Sequence, residues 1–285
     1  MTPKWIFEKD SYTDGNIETM IQYCKDKKLD FQLVDFVFGG HDQVKWKFAD
    51  EECVITYGTI HLAKYVQHKK RWYPGAWADW DALKCSSYLA HWGKYSVQTD
   101  YMMIPFSEVY RRWNELFVKY ASDGHLIIRP DDNDKRFTGE KVSVEKKEEW
   151  FARSKFYEPP IESLTLIARP LRVRAEWRFI ISNKKVVTGS LYRVGNNTAM
   201  SRVDPDWDYD KNAIDFADEI TNSTAWQPSP IYCLDVCMLD GGEFKLMEIG
   251  SVNTCGLYKC DVTKIIDVAN ELALHEWHET HERAF

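Results

Sequence analysis

The sequence lacks the run of about 20 apolar residues that a membrane-spanning helix requires. Its first residues also lack the apolar core of a secretory signal. The seven cysteines include no Cys-x-x-Cys pair, and their odd number and scattered spacing favour reduced thiols over a disulfide framework. Together these absences predict a cytoplasmic protein without a membrane anchor.

Positive charge is also scarce, because 44 acidic residues outnumber 37 basic ones and give a formal net charge of −7. This balance argues against nucleic acid as a partner. Glycine-rich phosphate loops of the Walker or Rossmann type are missing as well. What is present is a 285-residue chain that is 44% hydrophobic, which is enough to form a substantial core in one or two domains.

The order of strand-like and helix-like segments indicates two parts. Residues 1–98 alternate short apolar strands with amphipathic helices, as a small α/β domain does. Residues 99–285 group several strands in succession, which predicts an α+β domain. The tryptophan-rich stretch 71–81 contains a Pro-Gly pair and is predicted to be a connector.

The most informative local feature is the predicted hairpin over residues 231–250. The sequence Asp-Gly-Gly at 240–242 favours a tight turn, because these residues tolerate positive φ. A two-residue turn there sets Asp235 opposite Glu248, whereas a three-residue loop would put the two carboxylates on opposite faces. Two facing carboxylates repel each other unless a cation lies between them. Asn253 follows five residues later and offers an amide oxygen, so the three residues form a candidate Mg²⁺ site.

A second predicted hairpin, over residues 172–193, carries arginines on one face. A turn at 183–184 would bring Gly189, Leu191 and Arg193 to the same face as Arg178. Arginine binds phosphate oxygens in a bidentate manner and keeps its charge, so this face is a candidate anion site. Gly189 opposite Arg178 would leave room for a ligand. A solvated network of surface charges is the alternative.

Another basic element follows the apolar strand that ends at Arg129. The polar loop after it presents Lys135 and Arg136. Such a loop suits phosphate binding, although an ordinary surface turn has a similar composition.

Taken in order, these elements resemble the ATP-grasp superfamily. The matching stretches are IIRPDDNDKRFTG, EWRFII with VVTGSLYR, and LDVCML followed by MEIGSVNTCGLY. They are most similar to a divergent clade in which two arginines and a lysine take over nucleotide binding, a clade that includes a eukaryotic translation-initiation assembly factor. The resemblance implies an α+β ATP-grasp fold, preceded by a small α/β domain.

The resemblance also implies a role for each matching residue. The expected nucleotide-binding residues are Arg129, Lys135 and Arg178, with the hinge backbone of Leu166, Ile167, Ala168 and Arg169 reading adenine. The expected catalytic residues are Lys135, Arg178 and Arg193. The expected Mg²⁺ ligands are Asp235, Glu248 and Asn253. Because the family spaces the last two by one intervening residue, Ser251 is an alternative to Asn253.

This family pattern implies a Mg-ATP-dependent ligase that joins a carboxylate to an amine, the substrate being a small molecule, a peptide or a protein. One alternative is a protein that uses ATP to bind a partner through Trp72, Trp77, Trp80 and Trp92. Another alternative is a kinase. His275, His278 and His281 recur every three residues, but a solvated helix end is a simpler interpretation than a zinc site.

Overall fold

The computed structural model describes residues 2–36, 44–134, 137–155 and 162–282. The helices are α1 (Asn16–Asp26), α2 (Ile60–Lys69), α3 (Cys85–Trp92), α4 (Phe106–Arg111), α5 (Trp113–Tyr120), α6 (Lys147–Lys155), α7 (Asp208–Asn222) and α8 (Val262–Glu282). The strands are β1 (Lys4–Glu8), β2 (Asp30–Val34), β3 (Cys53–Tyr57), β4 (Tyr73–Gly75), β5 (Tyr101–Pro105), β6 (His125–Pro130), β7 (Glu140–Ser143), β8 (Leu164–Ala168), β9 (Val173–Ser182), β10 (Lys185–Val194), β11 (Asn197–Arg202), β12 (Ile231–Leu239) and β13 (Phe244–Ser251).

The first sheet is parallel, with the strand order β2-β1-β3-β4. Its central strands are buried on both faces, as parallel sheets usually are. Helix α2 covers one face through Leu62 and Val66. The last helix, α8, covers the other face through Ile265 and Ala269. The C-terminal end of the chain therefore completes the core of the N-terminal sheet.

One element of the first sheet differs from the sequence expectation. The stretch predicted to be a connector contains β4, which pairs in parallel with β3. Trp72 and Trp77 on either side of it are buried in two different cores. A three-residue strand is too short for its alternation to be recognised in the sequence, and burial of the two tryptophans stabilises it.

The two remaining sheets are antiparallel and follow each other along the chain. One has the order β5-β8-β6-β7, and α5 and α6 pack on it with Trp113 and Trp150. The other has the order β11-β10-β9-β12-β13, and α7 packs on Trp177 and Phe179. Separate antiparallel sheets with helices packed on them make this an α+β fold. No helix in the described ranges is both long and apolar enough to cross a membrane.

Candidate active site

The hairpin β12–β13 brings Asp235 opposite Glu248, as predicted. The route differs from the predicted one, because Leu239 N donates to Glu243 O and encloses the three-residue loop 240–242. Gly242 closes this loop with φ of +84°. A bulge then shifts the register between Asp235 and Val236, and this one-residue irregularity compensates for the odd loop. The two carboxylates thus face each other despite the longer turn.

Asp235 forms a buried ion pair with Arg178, its neighbour on β9. Arg178 Nε lies 2.8 Å from Asp235 Oδ1, and Nη2 lies 2.7 Å from Oδ2. The side chains are only 11% and 1% exposed. Burial raises the pKa of the Asp235 carboxyl, and the charge of Arg178 opposes that rise. Although burial alone would lower it, the pKa of Arg178 lies well above its usual value because Asp235 stabilises the charge.

Two tyrosines enclose the Arg178 guanidinium. The rings of Tyr192 and Tyr258 stack with centroids 4.7 Å apart, and the Arg178 guanidinium carbon lies 5.7 Å and 5.1 Å from their centroids. Tyr192 donates to Glu176 at 2.6 Å and to Asp235 at 3.3 Å. The sequence analysis missed both tyrosines. Tyr192 could have been found from its position beside Arg193, but nothing local to Tyr258 links it to β9.

Arg193 lies on the same polar face, where its Nη1 is 2.9 Å from Glu176 Oε1. The rest of the predicted face is wrong in register. Bulges in β10 bring Ser190, rather than Gly189, opposite Arg178, and Leu191 packs in the apolar core. Gly189 faces Phe179, and a β-carbon at this glycine would lie 2.5 Å from Phe179 Cδ1. The glycine therefore makes room for an aromatic ring and not for a ligand.

A second acid–arginine pair lies beside the first. Arg129 near the end of β6 donates to Glu248 Oε2 at 2.9 Å, and Glu248 is 39% exposed. Burial opposes the charge of Arg129, yet its pKa is raised because Cys85, Tyr88 and Glu248 lie next to it. The site thus contains two carboxylates balanced by two guanidiniums, one of each on either side of the β12–β13 pairing.

Asn253 is buried in a different environment from Asp235 and Glu248. Its Oδ1 accepts from Trp77 N at 2.8 Å, and its Nδ2 donates to Thr56 O at 2.6 Å. Both ends of the amide are therefore bonded to the first sheet and its flanking segment. Ser251 Oγ accepts from Asn253 N at 3.1 Å and is buried as well. The structure brings together the two carboxylates and the two arginines, but it uses Asn253 as a link to the N-terminal sheet.

The sequence comparison places this geometry in a family. The family model that matches residues 104–268 describes an ATP-grasp domain, family 2 of the clade named for its two arginines and one lysine. The chain belongs to this clade of ATP-grasp domains. No curated protein is significantly similar to it in sequence.

Solved structures share the ATP-grasp fold at low sequence identity. D-cycloserine synthetase DcsG superposes with a TM-score of 0.61 at 14% identity, covering 95% of this chain and 99% of the other. D-alanine–D-alanine ligase from Bacillus anthracis, complexed with ATP, gives a TM-score of 0.59 at 10% identity, covering 98% and 100%. ATP-grasp ligase PsnB, complexed with a precursor peptide and AMPPNP, gives 0.51 at 10% identity, covering 95% and 97%. At these identities the likeness concerns the fold.

Within the ATP-grasp fold, the expected hinge residues follow the strand that pairs with Arg129. Leu166 is the direct partner of Arg129, and Leu166, Ile167 and Ala168 are fully buried on β8. Arg169 leaves the strand and lies 3.4 Å from Asp100. The expected phosphate-binding residue Lys135 lies outside the described residues.

Two alternatives from the sequence change in the light of the structure. Trp72, Trp77 and Trp92 are buried in cores and Trp80 is half-buried, so they do not form an exposed partner surface. Among the three histidines on α8, His281 stacks on Trp277 with centroids 4.0 Å apart and its Nδ1 lies 2.7 Å from Trp277 O. No group of three or more His, Cys, Asp and Glu residues in the described ranges is arranged to hold a metal ion.

Proposed function

We propose that this protein is a Mg-ATP-dependent ligase that joins a carboxylate to an amine. The observation that carries the proposal is the pair of adjacent acid–arginine contacts, Arg178 with Asp235 and Arg129 with Glu248, in an ATP-grasp domain. Guanidiniums bind phosphate oxygens, and carboxylates bind hard divalent cations. ATP and Mg²⁺ are the partners that match both kinds of group.

The residues fit a Mg²⁺ ion that is bound together with phosphates. Mg²⁺ typically binds one or two protein carboxylates and completes its shell with waters and phosphate oxygens. Asp235 and Glu248 supply two such carboxylates on facing strand positions. Asp235 is buried while Glu248 is partly exposed, so Glu248 is the more accessible ligand. We retain Asp235 and Glu248 as proposed ligands and no longer favour Asn253, whose amide is already bonded.

The proposed reaction has two steps. An oxygen of the substrate carboxylate attacks the γ-phosphorus of ATP, the bond to the bridging oxygen breaks, and ADP leaves with formation of an acyl phosphate. The amine then attacks the acyl carbon, inorganic phosphate leaves, and an amide bond forms with loss of a proton from nitrogen. When bound, Mg²⁺ supplies positive charge to the phosphate oxygens.

The chain's own part in this reaction is positioning and charge compensation. Arg129 and Arg178 are held by buried contacts, so they present fixed positive charges to the phosphates. Lys135 remains a proposed third phosphate contact. Arg193, exposed by about half, is the proposed contact for the substrate carboxylate. Leu166, Ile167, Ala168 and Arg169 remain the proposed adenine-binding backbone.

We also retain the proposed division into an N-terminal α/β domain at 1–98 and an ATP-grasp domain at 99–285. A cytoplasmic location stays a proposal, supported by seven cysteines that are all buried free thiols.

Calorimetry of ATP binding tests this function. Wild-type protein is expected to bind ATP much more tightly with Mg²⁺ than without it, and Glu248→Gln is expected to weaken Mg-dependent binding at least about tenfold, because one charged ligand is lost. Glu243→Gln is the matched control, since Glu243 precedes the same strand and is 63% exposed. Equal affinity with and without Mg²⁺, or equal effects of the two variants, would contradict the proposal.

A further inference from the structure

A small cleft next to the candidate active site has no role in the proposed phosphate chemistry. It has a volume of ≈ 210 Å³ and lies between the start of α1, the end of β11 and residues 258–263. Its charged and polar lining includes Asp14, Arg202, Lys259 and Asp261. Pockets for drug-sized molecules usually start at about 300 Å³. This cleft therefore suits a molecule of only a few heavy atoms.

Tyr258 joins the cleft to the candidate active site. It contributes to the cleft wall, and its ring also stacks on Tyr192 and lies 5.1 Å from the Arg178 guanidinium carbon. A molecule in the cleft would therefore be separated from the buried arginine by a single aromatic residue. This proximity suits a substrate that reacts with the nucleotide.

The charges of the cleft are of both signs. Arg202 and Lys259 are basic, whereas Asp14 and Asp261 are acidic. Arg202 Nη1 lies 3.2 Å from Asp261 Oδ2 and is 64% exposed, and within the described ranges Lys259 makes no ion pair. A simple anion or a simple cation would meet a like charge here. A molecule with one positive and one negative group pairs with both.

The acidic side chains are held in place by their surroundings. Asp14 Oδ1 accepts from Asn16 N at 3.1 Å, and the Asn16 amide donates to Tyr258 O at 3.0 Å. Asp261 Oδ1 accepts from Thr263 N at 3.1 Å, and Asp261 N donates to Thr188 Oγ1 at 2.8 Å. The negative charges are thus fixed before any ligand arrives, which lowers the cost of binding.

We propose that this cleft binds a free α-amino acid as one of the two substrates of the ligase. The carboxylate of the amino acid pairs with Arg202 and Lys259, and its ammonium group pairs with Asp14 and Asp261. The assignment of the amino acid as a ligase substrate rests on the proposed function. The binding of a zwitterion by the cleft does not require it.

Saturation-transfer NMR followed by calorimetry tests the cleft directly. The probes are the twenty genetically encoded amino acids and D-alanine, each alone, against full-length protein with and without Mg-ATP. At least one is expected to bind, and its N-acetyl and carboxamide derivatives are expected to bind at least about tenfold more weakly, because each loses one charge-assisted contact. Lys259→Gln is expected to weaken binding similarly, whereas Lys264→Gln, an exposed lysine outside the cleft, serves as the control.

The outcomes separate this proposal from the proposed function. If no probe binds, or if the acetylated and amidated forms bind as well as the parent amino acid, the cleft is not a zwitterion site, whatever happens with Mg-ATP. If an amino acid binds but wild-type protein fails to bind Mg-ATP, the cleft assignment holds and the ligase function is wrong. Circular dichroism of the Lys259→Gln variant verifies that it is folded.

Discussion

Replacing Arg178 by alanine is expected to destabilise the protein strongly. The side chain makes two hydrogen bonds to Asp235 and a third, of 2.9 Å, to Gly256 O. Without it, the Asp235 carboxylate stays buried at 1% exposure with only the Tyr192 hydroxyl, 3.3 Å away, as a donor. Breaking a buried ion pair by removing one partner typically costs about 3–5 kcal/mol, because the other charge is left uncompensated. We expect a loss in the free energy of unfolding within that range.

Urea denaturation followed by circular dichroism measures this loss. Arg111→Ala is the matched control, because it removes an arginine from an exposed pair with Glu108, and it is expected to leave the unfolding midpoint unchanged. A loss of less than about 1 kcal/mol for Arg178→Ala would refute the argument, since it would mean that Asp235 finds water or another partner at little cost.

A double variant sharpens the same argument. Arg178→Met combined with Asp235→Leu removes both charges and leaves apolar groups of comparable size, and such exchanges are often neutral or stabilising. The double variant is therefore expected to be more stable than Arg178→Ala. If it is equally unstable, the loss comes from packing and not from the unpaired carboxylate. Arg178→Lys, which keeps the charge but not the bidentate geometry, is the better variant for ATP-binding measurements.

Three further perturbations test other features. Gly189→Ala is expected to cost about 1–3 kcal/mol of stability, because its new methyl group meets the buried ring of Phe179; Gly241→Ala, which faces open space, should show no such loss in thermal melts. Glu8→Gln tests the pKa of Glu8, which burial raises above 4.5: wild type should lose stability relative to the variant as pH rises through 4.5 towards the raised value, and a constant difference in urea titrations across pH would contradict this. Asn253→Ala should destabilise by about 2–4 kcal/mol, since two buried backbone groups lose their partners, while Mg-ATP affinity measured by calorimetry stays the same; a selective loss of Mg²⁺ dependence would restore Asn253 as a ligand.

The pairing of Asp235 with Glu248 could be predicted because both lie in strongly apolar strands with a glycine-rich turn between them. The loop length was predicted incorrectly, and the correct pairing resulted because a bulge compensates for it. Bulges depend on packing against neighbouring strands, and the sequence of a single strand carries little sign of them. For the same reason the register of β10 could not be predicted, and Gly189 was assigned to the wrong neighbour.

Residues that act across long sequence separations were harder to predict. Tyr258 meets Arg178 only because the loop before α8 returns to β9. Strand β11 is short, polar and largely exposed, so it has no apolar alternation to reveal it. By contrast, Arg129, Arg178 and Arg193 could be recognised as a basic group because family resemblance and strand alternation indicated the same positions.

The two roles of the chain around β13 limit how far its parts can separate. Glu248 belongs to the acid–arginine group, whereas Asn253 bonds to Thr56 and Trp77, and its carbonyl accepts from Gly58 N. An extended chain spans at most about 3.5 Å per residue, so these five residues form a tether of at most about 17 Å. A displacement of Glu248 therefore pulls on the first sheet, and strain applied at either end is felt at the other.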